Sequence, residues 1–479
     1  MTVQAGRPSD RIWDERLGAA QAELVEMLRG LIRIRSVNPP EPAGGELEAA
    51  HYIAGILSDA GLNPQVVEPF EGRGSVHARL QGDGTGGEPL LLLAHLDVVP
   101  APPEGWTHDP FGGDVADGYV YGRGAVDMKG TIAMQLAVVR LLAAEAREAG
   151  RDPAADPVPG LSRDVLITVT ADEEAGGFGG AGWLVENRPE WLQAAGALTE
   201  CGGVSVTAAG QRIYPIQVAE KGFAVYRVLV HGTSGHGSMP RPENAAVRAA
   251  EIIRRLAVPG RPRLTPIMER FIGATADALP TEPGRLLRTI AHPDVRLSDA
   301  AIDTLCEPTY ARAVRALLRD TISPNIIQAG VKYNVIPGEA ELYVDCRVLP
   351  GTTEEQIRAD IESRLGDLAE ASDVDLVIFG APVESAADTD LYRILETTIR
   401  AHDPDGSPVP GMVPFATDAK HTARLGIPTY GFSPLRLDPN ELFLDRFHGV
   451  DERVGLDALR WGLPVLYDAV REFCGTASR

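Results

Sequence analysis

The stretch Leu90-Leu-Leu-Leu-Ala-His95-Leu-Asp97, continued after a Pro/Gly-rich connection by Gly122-Arg-Gly-Ala-Val-Asp127-Met-Lys-Gly130, decides the fold. Four leucines and an alanine in succession suit a strand buried on both faces, and such strands lie inside sheets covered by helices. His95 and Asp97 follow at its carboxyl end, where open α/β sheets place their sites. Residues two apart on a strand point the same way, so the imidazole and the carboxylate share a face. A neutral imidazole is a good ligand for zinc-like ions, and a carboxylate that accepts its other N–H fixes the tautomer. Taken alone, the pair also fits a satisfied core histidine beside a loop aspartate.

Working outward, apolar residues at Leu24, Met27, Leu28 and Leu31 predict a helix over about Arg11–Arg33, stopped by Ser36-Val-Asn-Pro-Pro40. A second helix is expected at about Gly45–Ala60, with short strands near Pro64–Glu68 and Ser75–Leu80. Beyond Gly130 the pattern gives a helix at about Thr131–Ala149, a surface loop at Gly150–Gly160 and a second buried strand, Asp164–Thr170. That strand runs into Asp172-Glu173-Glu174, and a third, Ala197-Leu-Thr, runs into Glu200. Strands alternating with helices predict an α/β fold with a mostly parallel central sheet.

From about Glu220 the strands become half polar, as in a sheet with one exposed face. Strands at Phe223–Val230, Glu341–Val348 and Val374–Phe379, with helices at Asn244–Leu256 and Glu354–Leu365, predict a smaller α+β sandwich over 220–381. The span Pro259–Pro324 reads as an insertion in it. Helices at about Asp388–Ala401 and Asp451–Phe473 and a strand at Pro428–Phe432 then complete the first domain, so that 1–219 and 382–479 form one unit.

The 479 residues are enough for two or three domains, and 44% hydrophobic with 23% charged residues is ordinary for a globular chain. A net charge of −22 argues against nucleic acid or an anionic membrane as partner. No run of about eighteen apolar residues exists to span a bilayer. The first ten residues lack the basic start and apolar core of a secretory signal, and Cys201, Cys306, Cys346 and Cys474 are far apart, so a reducing cytoplasm is expected.

Three strand ends thus carry His95 with Asp97, Glu173 with Glu174, and Glu200; a loop carries Asp127, and His448 precedes the last helix. Two histidines and several carboxylates suit a pair of zinc ions, and a carboxylate can bridge two ions where an imidazole cannot. In an extended segment Glu173 and Glu174 would face different ways, one binding metal and the other serving as general base. An isolated acidic triplet also fits a solvated turn.

The ordered pattern His95-x-Asp97, Gly-Arg-Gly-x-x-Asp127-Met-Lys-Gly, Glu173-Glu174, Glu200 and His448 resembles the M20 metallopeptidase family of aminoacylases, glutamate-releasing carboxypeptidases, acetylornithine deacetylase and succinyl-diaminopimelate desuccinylase. The resemblance covers nearly the whole chain. It implies a catalytic domain holding two zinc ions, with cobalt or manganese as substitutes, and a lid domain that serves in homodimers. It makes Asp127 the bridging ligand, His95 and Glu200 the ligands of one ion, Glu174 and His448 those of the other, Glu173 the general base and Asp97 the residue that orients His95. In His231-Gly-Thr-Ser-Gly-His236 it points to His236 as the oxyanion donor, supplied in many dimeric relatives by the partner subunit; His231 is the alternative. It gives Asn334 and Arg347 contacts to substrate, with a surface strand arginine as the other reading of Arg347. Departures occur at Ala416-Thr-Asp-Ala-Lys420, where the family often shows Ser-Asp-Ala-Arg, in the long acidic stretch Leu435–Phe447, and at Glu200, where several relatives carry aspartate.

The expected activity is hydrolysis of an amide next to a free carboxylate, in an N-acyl amino acid or a small peptide. A dipeptidase reading a free amine is the alternative within the family, and a non-catalytic binding relative the alternative outside it. Gly122-Arg-Gly124 lacks the G-x-G-x-x-G of a nucleotide loop.

Overall fold

The computed structural model describes residues 10–38, 45–441 and 443–475. Pro39 and Pro40 of the first expected helix stop, and the first nine residues of the segment inspected for a signal, lie outside the described residues. The chain forms two compact units, one made of Met1–Val218, Ser385–Gly411 and Thr417–Arg479, the other of Ala219–Glu384 and Met412–Ala416.

In the first unit every residue of the strand Leu90–His95 is buried. It pairs in parallel with Val165–Thr170 on one side and Gly196–Thr199 on the other, and Thr429–Gly431 extends the parallel set. Helical crossovers impose the parallel order. The helix Lys129–Glu148 carries the chain from the first of these strands to the next, packed between the sheet and the helices Asp10–Arg33 and Leu456–Cys474. Covered on nearly all sides, it is apolar on nearly all sides. Antiparallel strands border this parallel centre: Arg73–Leu80 and Gln65–Phe70 at one rim, Gln211–Glu220 at the other. The mostly parallel α/β fold expected from the sequence is present, and its parallel part is these four central strands.

Lys129 belongs to the Asp-Met-Lys-Gly motif yet does not face the strand ends. Its buried ammonium donates to the carbonyls of Leu31 (3.0 Å) and Ile34 (2.9 Å), closing the C-terminal end of the first helix, where main-chain acceptors lack partners.

In the second unit an antiparallel sheet runs in the order Thr321–Ala329, Glu339–Val348, Gly222–His231, Ser372–Gly380. Its two central strands alternate buried and half-buried residues. The buried set, including Tyr226, Val228, Leu342 and Val344, packs on the helices Ala245–Leu256 and Glu354–Leu365. Asn244 caps the first by accepting from the Ala246 N–H, and Thr353 with Gln356 forms a capping box on the second.

Three expectations are corrected. The span 259–324 contains four helices, Pro266–Ala278, Thr281–Arg288, Val295–Leu305 and Pro308–Leu317, but its end belongs to the sheet strand Thr321–Ala329. Pro324 hid that strand, and proline is tolerated there because the strand is an edge. The strands Gln211–Glu220 and Gly406–Val413, also interrupted by prolines, were missed for the same reason. The last helix starts at Leu456 rather than Asp451, because Arg453–Gly455 pairs with Tyr119–Tyr121.

Leu92 is fully buried in the central strand. Leu92→Ala is expected to lower unfolding stability by about 2–5 kcal/mol, read from the midpoint of a denaturant titration. A loss below about 1 kcal/mol would contradict close packing around this strand.

Candidate metal centre

The three strand ends and one loop converge in the first unit. Asp127 sits in the loop between Tyr119–Tyr121 and the helix Lys129–Glu148, and its carboxylate faces two histidines at once. Oδ1 lies 3.1 Å from His95 Nε2 and Oδ2 lies 3.2 Å from His448 Nε2. Glu200 Oε2 approaches His95 Nε2 at 3.6 Å, and Glu174 Oε2 approaches His448 Nε2 at 3.3 Å. Two groups of three ligand-type side chains result, His95–Asp127–Glu200 and Asp127–Glu174–His448, sharing Asp127.

Burial and the excess of carboxylates set the protonation of these groups. Burial raises Glu200 to about 8 and Glu174 to about 7, with the Asp127 charge adding to both. Hydrogen bonds to Asp127 and Glu174 raise His448 to about 10. Burial works against a charged His95, but Glu200, Asp127 and Asp97 outweigh it and hold it well above its ordinary value. Burial likewise opposes an ionised Asp127, and the two imidazoles overcome it.

The backbone of this centre is held by groups the sequence did not single out. Glu452 is fully buried. Its Oε1 accepts from the N–H groups of Val126 (2.8 Å) and Asp127 (3.1 Å), and its Oε2 pairs with Arg123 at 2.6 Å. Arg123 also donates to the His448 carbonyl at 3.2 Å. One buried ion pair thereby ties the Asp127 loop to the His448 segment. An Asp-Glu pair after His448 looks like any surface acid in sequence, so no local signal could have found it.

Asp97 meets His95 more closely through its main chain than through its carboxylate. His95 Nδ1 donates to the Asp97 main-chain carbonyl at 3.0 Å, with the Asp97 carboxylate at 3.5 Å. That bond directs Nε2 toward Asp127 and Glu200. The Asp97 carboxylate itself accepts from the N–H groups of Glu173 (3.1 Å) and Glu174 (2.9 Å) and from Asn38 (2.7 Å).

Glu173 and Glu174 are not in an extended segment. Asp172 takes the left-handed conformation (φ 72°), and Glu173–Ala175 forms one tight 3-10 turn. The side chains still diverge: Glu174 meets His448, whereas Glu173 lies 3.3 Å from the Lys420 ammonium.

The remaining candidates belong to the second unit. His236, in the short strand Gly235–His236, is paired with Val335, next to Asn334, and Gly237 donates to the Asn334 carbonyl at 2.9 Å. The Asn334 Oδ1 is buried with no hydrogen-bond partner among the described residues. His231 is paired with Asp373 at 2.7 Å. Arg347 forms a two-pronged contact with Asp345 on its own strand, at 2.9 and 3.1 Å.

The first unit's donor set fits a borderline divalent metal: imidazole nitrogen and carboxylate oxygen, with one carboxylate offering an oxygen to each side. Glu174 Oε1 is buried without a hydrogen-bond partner among the described residues, as a ligand atom in want of a cation would be.

Glu452→Ala would leave Arg123 buried without its partner and release the Asp127 N–H. Metal affinity is expected to fall by about 10–100-fold, measured by competition with a chelator, together with a lower melting temperature. Unchanged affinity would mean that Glu452 supports the fold alone.

Residues 91–472 match the family model of peptidase family M20/M25/M40. The N-fatty-acyl-amino acid synthase/hydrolase PM20D1 of Xenopus tropicalis is 30% identical over 456 residues, covering 91% of this chain and 83% of that protein. Aminoacylase-1 of Sus scrofa is 28% identical over 443 residues, covering 90% of each. The fold is similar to that of human carnosine dipeptidase 1, with a TM-score of 0.68 at 16% identity over 98% of this chain and 100% of that one. With the family model spanning most of the chain and the shared carboxylate between two histidines at its centre, the chain belongs to the M20 peptidase family and is a metal-dependent hydrolase.

Proposed function

We propose that the chain is a di-zinc amidohydrolase that cleaves an amide next to a free carboxylate, with N-acyl amino acids as its substrates. The observation that carries this reading is the Asp127 carboxylate, one oxygen toward His95 and the other toward His448, with Glu174 at His448 and its neighbour Glu173 turned away from it on the same tight turn. The similarity to N-fatty-acyl-amino acid and aminoacylase relatives supports acylated amino acids over free dipeptides.

His95, Asp127 and Glu200 would hold one ion and Asp127, Glu174 and His448 the other, with zinc favoured by the mixed nitrogen and oxygen donors and cobalt or manganese as substitutes. When bound, the ions supply Lewis acidity, polarising the scissile carbonyl and making water a stronger acid at neutral pH. Glu173 accepts a proton from the attacking water on its carboxylate and returns it to the leaving amine nitrogen, so that amide and water become acid and amine. His236 would donate to the developing oxyanion, a contact commonly worth about 2.7–4 kcal/mol. Asn334 would touch the substrate, and Arg347 would grip its carboxylate in exchange for the two-pronged pairing with Asp345.

A homodimer through the second unit is part of the same reading. Its support is the edge strand Thr321–Ala329 and the turn after it, where Val331 and Tyr333 are 99% and 98% exposed beside the half-exposed Ile326 and Ile327. Apolar side chains clustered beside an unpaired edge favour a partner of the same kind.

The decisive test is a panel of N-acetyl and long-chain N-acyl amino acids, dipeptides and esters on zinc- or cobalt-loaded protein, read by release of free amino acid. Acylated substrates alone should turn over, and Glu173→Gln should keep its metal while losing about 100-fold or more in kcat. Turnover of dipeptides with a free amine would move the assignment to peptidase, and an active Glu173→Gln protein would remove Glu173 as base. For the assembly, the pair of changes Val331→Asp and Tyr333→Asp is expected to convert a dimer to a monomer in light scattering; a dimer that survives them uses another surface.

A further inference from the structure

We propose that Lys420 is a positioning residue for the general base, holding the Glu173 carboxylate in its working orientation. This rests on the reading of Glu173 as base. The lysine stands at the end of the buried stretch Thr417-Asp-Ala-Lys420.

Three consecutive contacts lock the segment 417–421 onto the acid turn. Asp418 Oδ2 accepts from Thr170 Oγ1 at 2.6 Å, and Thr170 is the last residue of the strand that leads into that turn. His421 Nε2 donates to the Gly176 carbonyl at 2.9 Å, on the turn's far side. Burial keeps this imidazole neutral at ordinary pH by lowering it to about 4. Between them Lys420 reaches the Glu173 carboxylate at 3.3 Å. Close packing allows little slack: a Cβ added to Gly177 would meet Asp418 Oδ1 at 2.4 Å and His421 Nε2 at 2.9 Å.

The ammonium is itself held in place. It donates to the Thr417 carbonyl at 2.9 Å, and the side chains of Lys420 and Glu173 are only 6% and 10% exposed. Glutamate has three rotatable side-chain bonds, and the Asp97 carboxylate fixes only the backbone of Glu173. A fixed cation at one carboxylate oxygen removes the remaining freedom. Misplacement of a catalytic group by about 1 Å can cost on the order of 100-fold in rate, so this restraint belongs to turnover rather than to binding.

The test compares wild type with Lys420→Met, Lys420→Arg, Glu173→Gln and the double variant Lys420→Met/Glu173→Gln, on the best substrate of the panel. Lys420→Met should lower kcat by about tenfold or more, with KM and bound metal within about twofold of wild type. Lys420→Arg, which restores a cation, should recover most of the loss. In the Glu173→Gln background Lys420→Met should cost nothing further, because two residues acting as a unit are non-additive. If Lys420→Met does not fold, Lys420→Gln replaces it, with the same expectation. A normal kcat, an additive loss in the double variant, loss of metal, or a raised KM with unchanged kcat would each overturn the proposal. An active Glu173→Gln protein would instead refute the base assignment on which it stands.

Discussion

The constraint on which the first unit's centre depends is a single carboxylate that must serve two sides. Asp127 can face both His95 and His448 only if its loop is held from behind, and a fully buried Glu452 does this through two main-chain N–H groups. The same glutamate pairs with Arg123, which in turn reaches the His448 carbonyl. Removing one member of such a buried pair is costly because the other is left charged without a partner. The pair's contribution is thus geometric: it fixes the distance between two segments more than three hundred residues apart in sequence.

A second buried network performs the same task for the acid turn. Glu46 accepts from Arg73 and from the Asp172 N–H, Arg73 also reaches Asn38 and Asp172, and Asn38 donates to Asp97. Asp97 then receives the N–H groups of Glu173 and Glu174. Each polar group is satisfied by the next, which is what makes burial of so many acids tolerable. Burial still raises Glu46 to about 7. The centre is therefore a set of acids held by donors on its outer side, with carboxylate oxygens turned toward two imidazoles and the buried Glu174 Oε1 without a hydrogen-bond partner among the described residues.

Much of this was legible beforehand because it depends on local pattern. The leucine-rich strand Leu90–His95, the acids at three strand ends and the apolar crossover helix follow from periodicity and from where a parallel sheet ends. The half-polar strands of the second unit were legible in the same way. Prolines concealed the strands Gln211–Glu220, Gly406–Val413 and Thr321–Ala329, since a proline reads as a stop in a local pattern; at Thr321–Ala329 the sheet edge tolerates it. The expectation that Glu173 and Glu174 diverge held for a reason other than the one inferred: a tight turn after a left-handed Asp172 separates them, not an extended strand.

What the sequence determined by itself is the order and chemistry of the ligand-type residues, the sheet that carries them and the membership of a metal-dependent hydrolase family. What only the tertiary structure decided is which partner each buried polar group takes. Nothing in Asp-Glu after His448 distinguishes Glu452 from a surface acid, and nothing in Ala-Lys-His places Lys420 against Glu173 rather than in solvent. Secondary structure is written in periodicities of two and 3.6 residues that a local reading can detect. The pairing of buried charges depends on distances between segments hundreds of residues apart, and those exist only once the strands have packed.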